Sequence, residues 1–312
     1  MSHRSQAKRF SYYFFNTLGL CIPNFIFRLL LQKKLSKLNT SDQAYIQNRV
    51  NYYNKLAVLD DSVNFNNSVA AFKKTKGTTY FFDMRNVIKY FSRYLKFSMM
   101  PGDVTCIPDV PTFVKSRPIT HNNENAVLLK LNKIRHFNFI KDDILYTDKK
   151  DKVAWRGVGY QPHRLVVIKQ FYAHKMCNIG QTKPYRGNPW EKDYMSIEEQ
   201  LKYKFLLCIE GNDVATNLKW SMSSNSLCLM SKPKFETWFM EGRLEAGVHY
   251  VELKDDYSDL IEKMEYYLAH EQEALTIIKN ANGYVEQFKD EKQEQLISLL
   301  VAQKYFKQSG QL

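Results

Sequence analysis

Apolar and polar positions follow two different rhythms in the two halves of this chain. In the first half, Tyr45, Ile46, Val50, Tyr53 and Leu56 recur at helical spacing behind Ser41 and Asp42, which predicts a helix over 41–57. The run Thr78 to Phe82 predicts a short strand ending at Asp83, and Asn86 to Phe97 predicts a helix. Pro101-Gly102 marks a turn. Three prolines between Val104 and Pro118 predict an extended, looping segment. Asn125 to Leu131 fits a strand or a short helix. Asp142 to Asp151 is charged and poor in apolar residues, and a domain boundary is expected there.

The second half alternates. Val153–Trp155 predicts a strand before a helix at Arg164–Tyr172, and a helix at Ile197–Tyr203 precedes a strand at Phe205–Ile209. A helix at Ala215–Ser221 precedes a strand at Leu227–Met230. A helix at Lys234–Phe239 precedes a strand at His249–Leu253, which leads into a helix at Asp259–His270. Glu271 to Phe306 predicts further helix. Regular alternation implies a parallel sheet covered on both faces, with ligands bound outside the carboxyl ends of its strands.

Two segments stand out in that half. Lys152 to Arg164 and Tyr203 to Trp220 each read as strand, Gly-containing polar loop and helix start. Such a loop aims backbone N–H groups and a positive helix end at one point, which suits a phosphate. Neither G-x-G-x-x-G nor G-x-x-x-x-G-K is present, which disfavours dinucleotide-binding and P-loop readings.

Charge adds a second theme. The net charge is +13, and residues 1–50 hold eight Lys/Arg against Asp42 alone, whereas residues 251–312 hold seven Lys against twelve acids. A basic end implies an anionic partner. Phe10 to Phe27 is free of charge, rich in aromatics and flanked by Lys8, Arg9, Arg28, Lys33, Lys34 and Lys37. Three readings are open for it: a helical hairpin packed on the core, a segment lying in the interface of an anionic bilayer, and a membrane span. No small-residue cleavage site follows it, so no removable signal peptide is expected. Cys21, Cys106, Cys177, Cys208 and Cys228 form no C-x-x-C pair, which predicts free thiols and a reducing cytosol.

The ordered set Trp155-Arg156-Gly157…Pro162-x-Arg164, Leu201 to Leu206, Glu210 to Trp220 and Gly247-Val-His-Tyr-Val resembles glycosyltransferase family 90. That family includes animal protein O-glucosyltransferases and lipopolysaccharide-modifying enzymes of bacteria, and Asp109 to Arg117 looks like the bacterial members. The resemblance spans roughly residues 80–285. It implies an α/β, GT-B-like fold of two Rossmann-like domains facing a cleft. Residues 1–145 would form the acceptor-side domain, 146–285 the nucleotide-sugar domain, and 286–312 a C-terminal helix free to pack back on the first domain. It also implies a UDP-sugar donor, inversion, and no metal or other cofactor.

Within that frame Arg156, Gly157, Arg164, Thr216, Asn217 and Lys219 are the candidates for the diphosphate, since an Arg fork matches phosphate oxygens. Glu210 and Gly211 follow a strand, where the carboxylate could take a ribose hydroxyl. Surface ion pairs, caps and loop-ordering contacts are the alternative roles for these residues. Gly159 and Asn217 stand where the animal enzymes look to have Arg. Asp109 is the expected base, as it resembles the Asp of the family's D-x-P motif. Asp103 and Asp83 compete with it, and Lys115 and Arg117 are candidates for an acidic acceptor.

The favoured function is transfer of a sugar to a lipopolysaccharide or lipooligosaccharide core hydroxyl. The expected partners are a phosphorylated glycolipid and an anionic membrane surface, with the protein cytoplasmic and peripheral on the inner membrane. A protein O-glucosyl- or xylosyltransferase, or a basic RNA- or membrane-binding protein without catalysis, are the alternatives. Zinc-finger, ribonucleoprotein and G-x-x-G signatures are missing, so nucleic acid is not an expected partner.

Overall fold

A computed structural model of the chain describes residues 3–36, 42–58, 63–75, 77–182 and 187–312. The chain begins with α1 (His3–Leu18), α2 (Asn24–Leu35) and α3 (Gln43–Tyr53), then β1 (Asn67–Ser68) and α4 (Thr78–Ile88). It continues through β2 (Lys96–Met100), β3 (Thr112–Val114), β4 (Ser116–Pro118), β5 (Ala126–Leu128) and one turn of helix, α5 (Lys133–His136). Then come β6 (Lys150–Gly157), α6 (Pro162–Phe171), β7 (Cys177–Gln181), α7 (Ile197–Gln200), β8 (Tyr203–Leu207) and α8 (Leu218–Met222). The last stretch holds β9 (Leu227–Ser231), β10 (Phe235–Thr237), β11 (Val251–Leu253), α9 (Leu260–Ala269), α10 (Glu271–Glu286) and α11 (Glu291–Gln308).

These elements form two units, and the architecture is α/β. The first unit takes the chain up to Arg135, together with Phe235–Phe239 and Asp290–Leu312; the second takes His136–Lys234 and Met240–Lys289. The division falls ahead of the charged stretch expected to hold it. Asp142 explains why: its carboxylate accepts from the Lys149 ammonium at 2.7 Å and from the Asn225 N–H at 2.9 Å, which ties the stretch into the second unit.

The first unit is built on a four-stranded sheet of order β1-β2-β3-β5, with β2, β3 and β5 parallel and β1 antiparallel at the edge. α11 closes this sheet. The Tyr305 ring stacks on Phe113 at 4.2 Å between centroids, and Phe306 meets Phe91 at 5.1 Å. Asp290 caps the helix by accepting from the N–H groups of Lys292 and Gln293. Glu294 is buried on the same helix and pairs with Arg49 at 2.6 Å while accepting the Trp238 indole N–H at 2.6 Å.

Three expectations fail in this unit. Thr78–Phe82 opens helix α4 instead of forming a strand, because Tyr80, Met84 and Ile88 are buried one turn apart. The helix expected over Asn86–Phe97 ends at Ile88, and the chain turns into β2. A third lies at Lys234–Phe239, where a helix was expected. It is strand β10, whose backbone pairs antiparallel with β4, Glu236 opposite Arg117.

The second unit carries an all-parallel five-stranded sheet of order β11-β9-β8-β6-β7. One face buries Val153, Trp155, Phe205 and Leu229 with Val167, Ile168, Met264 and Ile277 from the helices. The other buries Ala154, Leu206 and Trp220. Burial on both faces accounts for the unbroken apolar run Phe205–Ile209. The chain steps from β6 outward to β7, then crosses to β8 on the opposite side of β6 and proceeds through β9 to β11. The topological switch therefore lies between β6 and β8.

Candidate functional site

A switch point opens a crevice at the carboxyl ends of its two strands, because the loops leaving them run in opposite directions. Here those loops are residues 157–161 after β6 and 208–217 after β8. The two segments that stand out in the sequence are thus neighbours in space. Side chains lace them together. The Arg164 guanidinium on α6 donates to the carbonyls of Glu210 at 2.8 Å, Ile209 at 3.0 Å and Val158 at 3.1 Å. It also lies over the Trp155 ring at 5.6 Å. His163 meets the Glu210 carbonyl at 2.9 Å, and the Gln161 amide donates to Asn212 at 3.2 Å.

Glycine is required where the loop after β6 is tightest: a Cβ on Gly157 would come within 2.6 Å of the Trp155 ring and one on Gly159 within 2.7 Å of Ile168, whereas one on Gly211 would lie 3.4 Å from the flexible end of Arg164. α6 starts beside the crevice with Gln161 as N-cap, without a side-chain cap hydrogen bond, and with Pro162 in its first turn, so the first-turn N–H groups have no partner within the helix.

The residues predicted to bind the nucleotide sugar fall in different places. Arg164, Gly157, Glu210 and Gly211 border the crevice. Arg156 lies at the end of β6 on the β7 side: it donates to the Asn178 carbonyl and amide oxygen at 2.7 Å each, to the Trp155 carbonyl at 2.9 Å and to the Asp193 carbonyl at 3.1 Å. Thr216 and Asn217 form a turn before α8, and the Asn217 amide donates to the Leu207 carbonyl at 2.9 Å. α8 is only five residues long, so the helix dipole expected behind this loop is short. Lys219 is fully buried and pairs with Glu241 at 2.5 Å, so in this structure it is an internal cation and not a solvent-facing phosphate contact. The Glu210 carboxylate accepts the Lys234 N–H at 3.0 Å.

The candidate bases lie in the first unit and differ in environment. Asp109 is exposed on its loop, which is tied down by the Asn125 amide donating to the Asp109 carbonyl at 2.9 Å. Asp103 forms an ion pair with the buried Lys115. Asp83 is buried on α4, accepts the Tyr12 hydroxyl at 2.8 Å and the Lys133 N–H at 2.9 Å, and is pushed up to about 6 mainly by burial. Lys115 and Arg117 are both buried. Arg117 pairs with Glu236 at 2.7 Å and donates to the carbonyls of Tyr52 and Ala126, so neither is placed to meet an acceptor.

Sequence reading missed one part of this region. β7 and the segment after it join Arg156 in lining a cavity of about 600 Å³ with Gln181, Thr182, Glu191, Lys192, Asp193 and Tyr194. The apolar alternation of Cys177 and Ile179 was the available signal. Among the described residues, no cluster of three or more His, Cys, Asp or Glu side chains is arranged to hold a metal ion.

Comparison with known proteins adds identity to this geometry. A model of glycosyl transferase family 90 matches residues 131–305, which includes the crevice but not Asp109. The chain is 46% identical over 265 residues to the O-glucosyltransferase LpsA of Dichelobacter nodosus, covering 85% of this chain and 83% of that protein. It is 26% identical over 140 residues to protein O-glucosyltransferase 2 of Danio rerio, 43% of this chain and 28% of the relative. Protein O-glucosyltransferase 3 of Homo sapiens is 26% identical over 141 residues, covering 43% and 27%.

Proposed function

The chain belongs to glycosyl transferase family 90 and is a glycosyltransferase; on that premise we propose that it moves a sugar from a UDP-sugar to a hydroxyl of a lipopolysaccharide or lipooligosaccharide core, with inversion and without a metal. The observation that carries the donor assignment is the crevice between β6 and β8, where Arg164 fastens both loops to each other. A diphosphate there would meet the first-turn N–H groups of α6 and the positive charge of Arg164. Arg156 adds charge at the neighbouring cavity. The GT-B architecture is part of the same proposal.

Inversion needs one displacement and one base. The acceptor oxygen forms a bond to the anomeric carbon as the bond to the diphosphate breaks, UDP departs with the electron pair, and the acceptor proton passes to a carboxylate. Asp109 is our candidate for that carboxylate: it is exposed, whereas Asp103 is ion-paired and Asp83 is buried. UDP-glucose is the first donor to test, because the relative with 46% identity is named an O-glucosyltransferase. The acceptor is carried by a membrane glycolipid, and the protein is peripheral on the cytoplasmic face of the inner membrane. The basic, acid-free stretch before Asp42 supports that placement.

UDP should raise the melting temperature of the full chain in proportion to the logarithm of its concentration above Kd. Arg164→Ala should abolish most of that shift. Asp109→Asn should keep the shift and lose transfer. A wild-type melting temperature indifferent to millimolar UDP would remove the donor assignment.

A further inference from the structure

α1 and α2 are attached to the first unit by polar contacts and by the rings of Tyr12, Tyr13 and Phe27, which meet Phe82 and Tyr90, and most of their other large apolar side chains are left outside. The Tyr12 hydroxyl donates to Asp83 at 2.8 Å, and the Asn86 amide donates to Asn16 at 2.6 Å. Arg85 donates to the Gly19 carbonyl and to Asn24, both at 3.3 Å. These contacts pin the hairpin to α4. Meanwhile Phe10 is 72% exposed, Phe15 66% and Leu29 76%, with Phe14, Leu18 and Phe25 also exposed. α2 has no buried residue at all. A surface helix of a protein in water buries most of its apolar stripe, whereas here most of it is exposed. Exposed apolar area on this scale marks an interaction surface.

Charge selects the partner. The sequence carries no Asp or Glu before Asp42, and Lys8, Arg9 and Lys33 are exposed around the apolar face. Behind the hairpin Lys89 sits 4.1 Å above the Phe27 ring, and its pKa is lowered to about 8, first by burial and then by the charges of Arg85, Lys34 and Lys133. A second copy of the chain would set these like charges against each other. An anionic lipid surface would neutralise them and cover the apolar side chains at once.

Length fixes the depth. α1 has 16 residues and α2 has 12, so they reach about 24 and 18 Å, short of the roughly 30 Å hydrocarbon core. No single helix among the described residues is long and apolar enough to cross a membrane; the two together have that length and composition, but they are bent by 108° at the break between them.

We infer that the α1–α2 hairpin is a membrane-docking device that lies in the interface of an anionic bilayer, with Phe10, Phe15 and Leu29 in the acyl boundary and Lys8, Arg9, Lys33 and the Arg85–Lys89 cluster at the level of lipid phosphates. It deepens the proposed function by supplying the surface that brings the enzyme to a membrane-borne acceptor, and it rests on that reading only for the acceptor.

The test is sedimentation of the full chain with phosphatidylglycerol–phosphatidylcholine vesicles and with phosphatidylcholine vesicles alone, alongside UDP release in solution. Binding should require the anionic lipid, fall with added salt and survive inorganic phosphate at equal ionic strength. The Phe10→Asn/Phe15→Asn/Leu29→Asn variant should bind about tenfold or more weakly, and Lys8→Gln and Lys33→Gln should each weaken binding on the order of fivefold. Melting temperatures near wild type would confirm that these exposed substitutions leave the fold intact. Vesicle binding equal in wild type and triple variant would overturn the inference, as would a wild-type dimer that the triple variant dissociates. Competition by inorganic phosphate beyond its ionic strength would instead identify a soluble phosphate site and overturn the lipid assignment. Binding intact with no UDP release would leave the hairpin standing and count against the transferase reading; release intact without binding would do the opposite.

Discussion

Asp83 is one carboxylate with two jobs: it anchors the N-terminal hairpin through Tyr12 and the α5 turn through the Lys133 N–H. Burial raises its pKa from 3.8 to about 6, and the nearby Lys133 charge and the two hydrogen bonds only partly oppose that. A carboxyl whose folded pKa lies above its unfolded one stabilises the fold most when protonated. Its contribution is complete below about pH 4 and is lost as pH rises through 6. Between pH 7 and pH 5 this group should therefore add about 1 kcal/mol of stability. Asp83→Asn should remove that increment and leave stability at pH 7 equal or higher. An Asn oxygen can still accept from Lys133, and Tyr12 can turn to the Thr79 carbonyl it already reaches at 3.3 Å. Chemical denaturation at the two pH values measures the difference. A wild type and variant with the same pH dependence would show that Asp83 ionises as it does in water.

Helix α11 shows what one element can contribute. It buries Ile297, Leu299, Val301, Ala302, Tyr305 and Phe306, each worth about 1.5–3 kcal/mol for the larger side chains, against a typical total stability of 5–15 kcal/mol. A chain ending at Lys289 should therefore lose its first unit. Limited proteolysis should cut rapidly within 43–135 while 136–234 and 240–289 resist; equal resistance of all three stretches would refute this. The sequence made most of the second unit legible because its strands are buried on both faces and its helices alternate with them, but β7, the strand order and the switch point came only from the pairing of β6 with both β7 and β8. It hid α4 because Thr78-Thr-Tyr-Phe-Phe82 is β-branched and aromatic, a composition that favours strands when read alone. Only the burial of Tyr80, Met84 and Ile88 at four-residue spacing decides for helix. β10 was hidden for another reason: its partner strand lies 119 residues away, a pairing no local pattern reveals. At the site, the Gly-containing loops were legible. The roles of Lys219 and Arg117 were not, because their carboxylate partners Glu241 and Glu236 are distant or unremarkable in sequence.

At the scale of the whole molecule, a chain of net charge +13 carries the proposed nucleotide crevice in its second unit and the proposed membrane-docking hairpin in its first. In the proposed function the basic end would direct the protein to an anionic surface, and the crevice would hold the donor. The chemistry depends on the crevice, so the most direct test is UDP release from a panel of UDP-sugars by wild type and Arg164→Ala, with and without a chelator. The account predicts release from one UDP-sugar, UDP-glucose being the first candidate, unchanged by the chelator and reduced by at least about tenfold in Arg164→Ala, the loss expected for charged hydrogen bonds. Release from no UDP-sugar, release that needs a divalent metal, or full release by Arg164→Ala would contradict it.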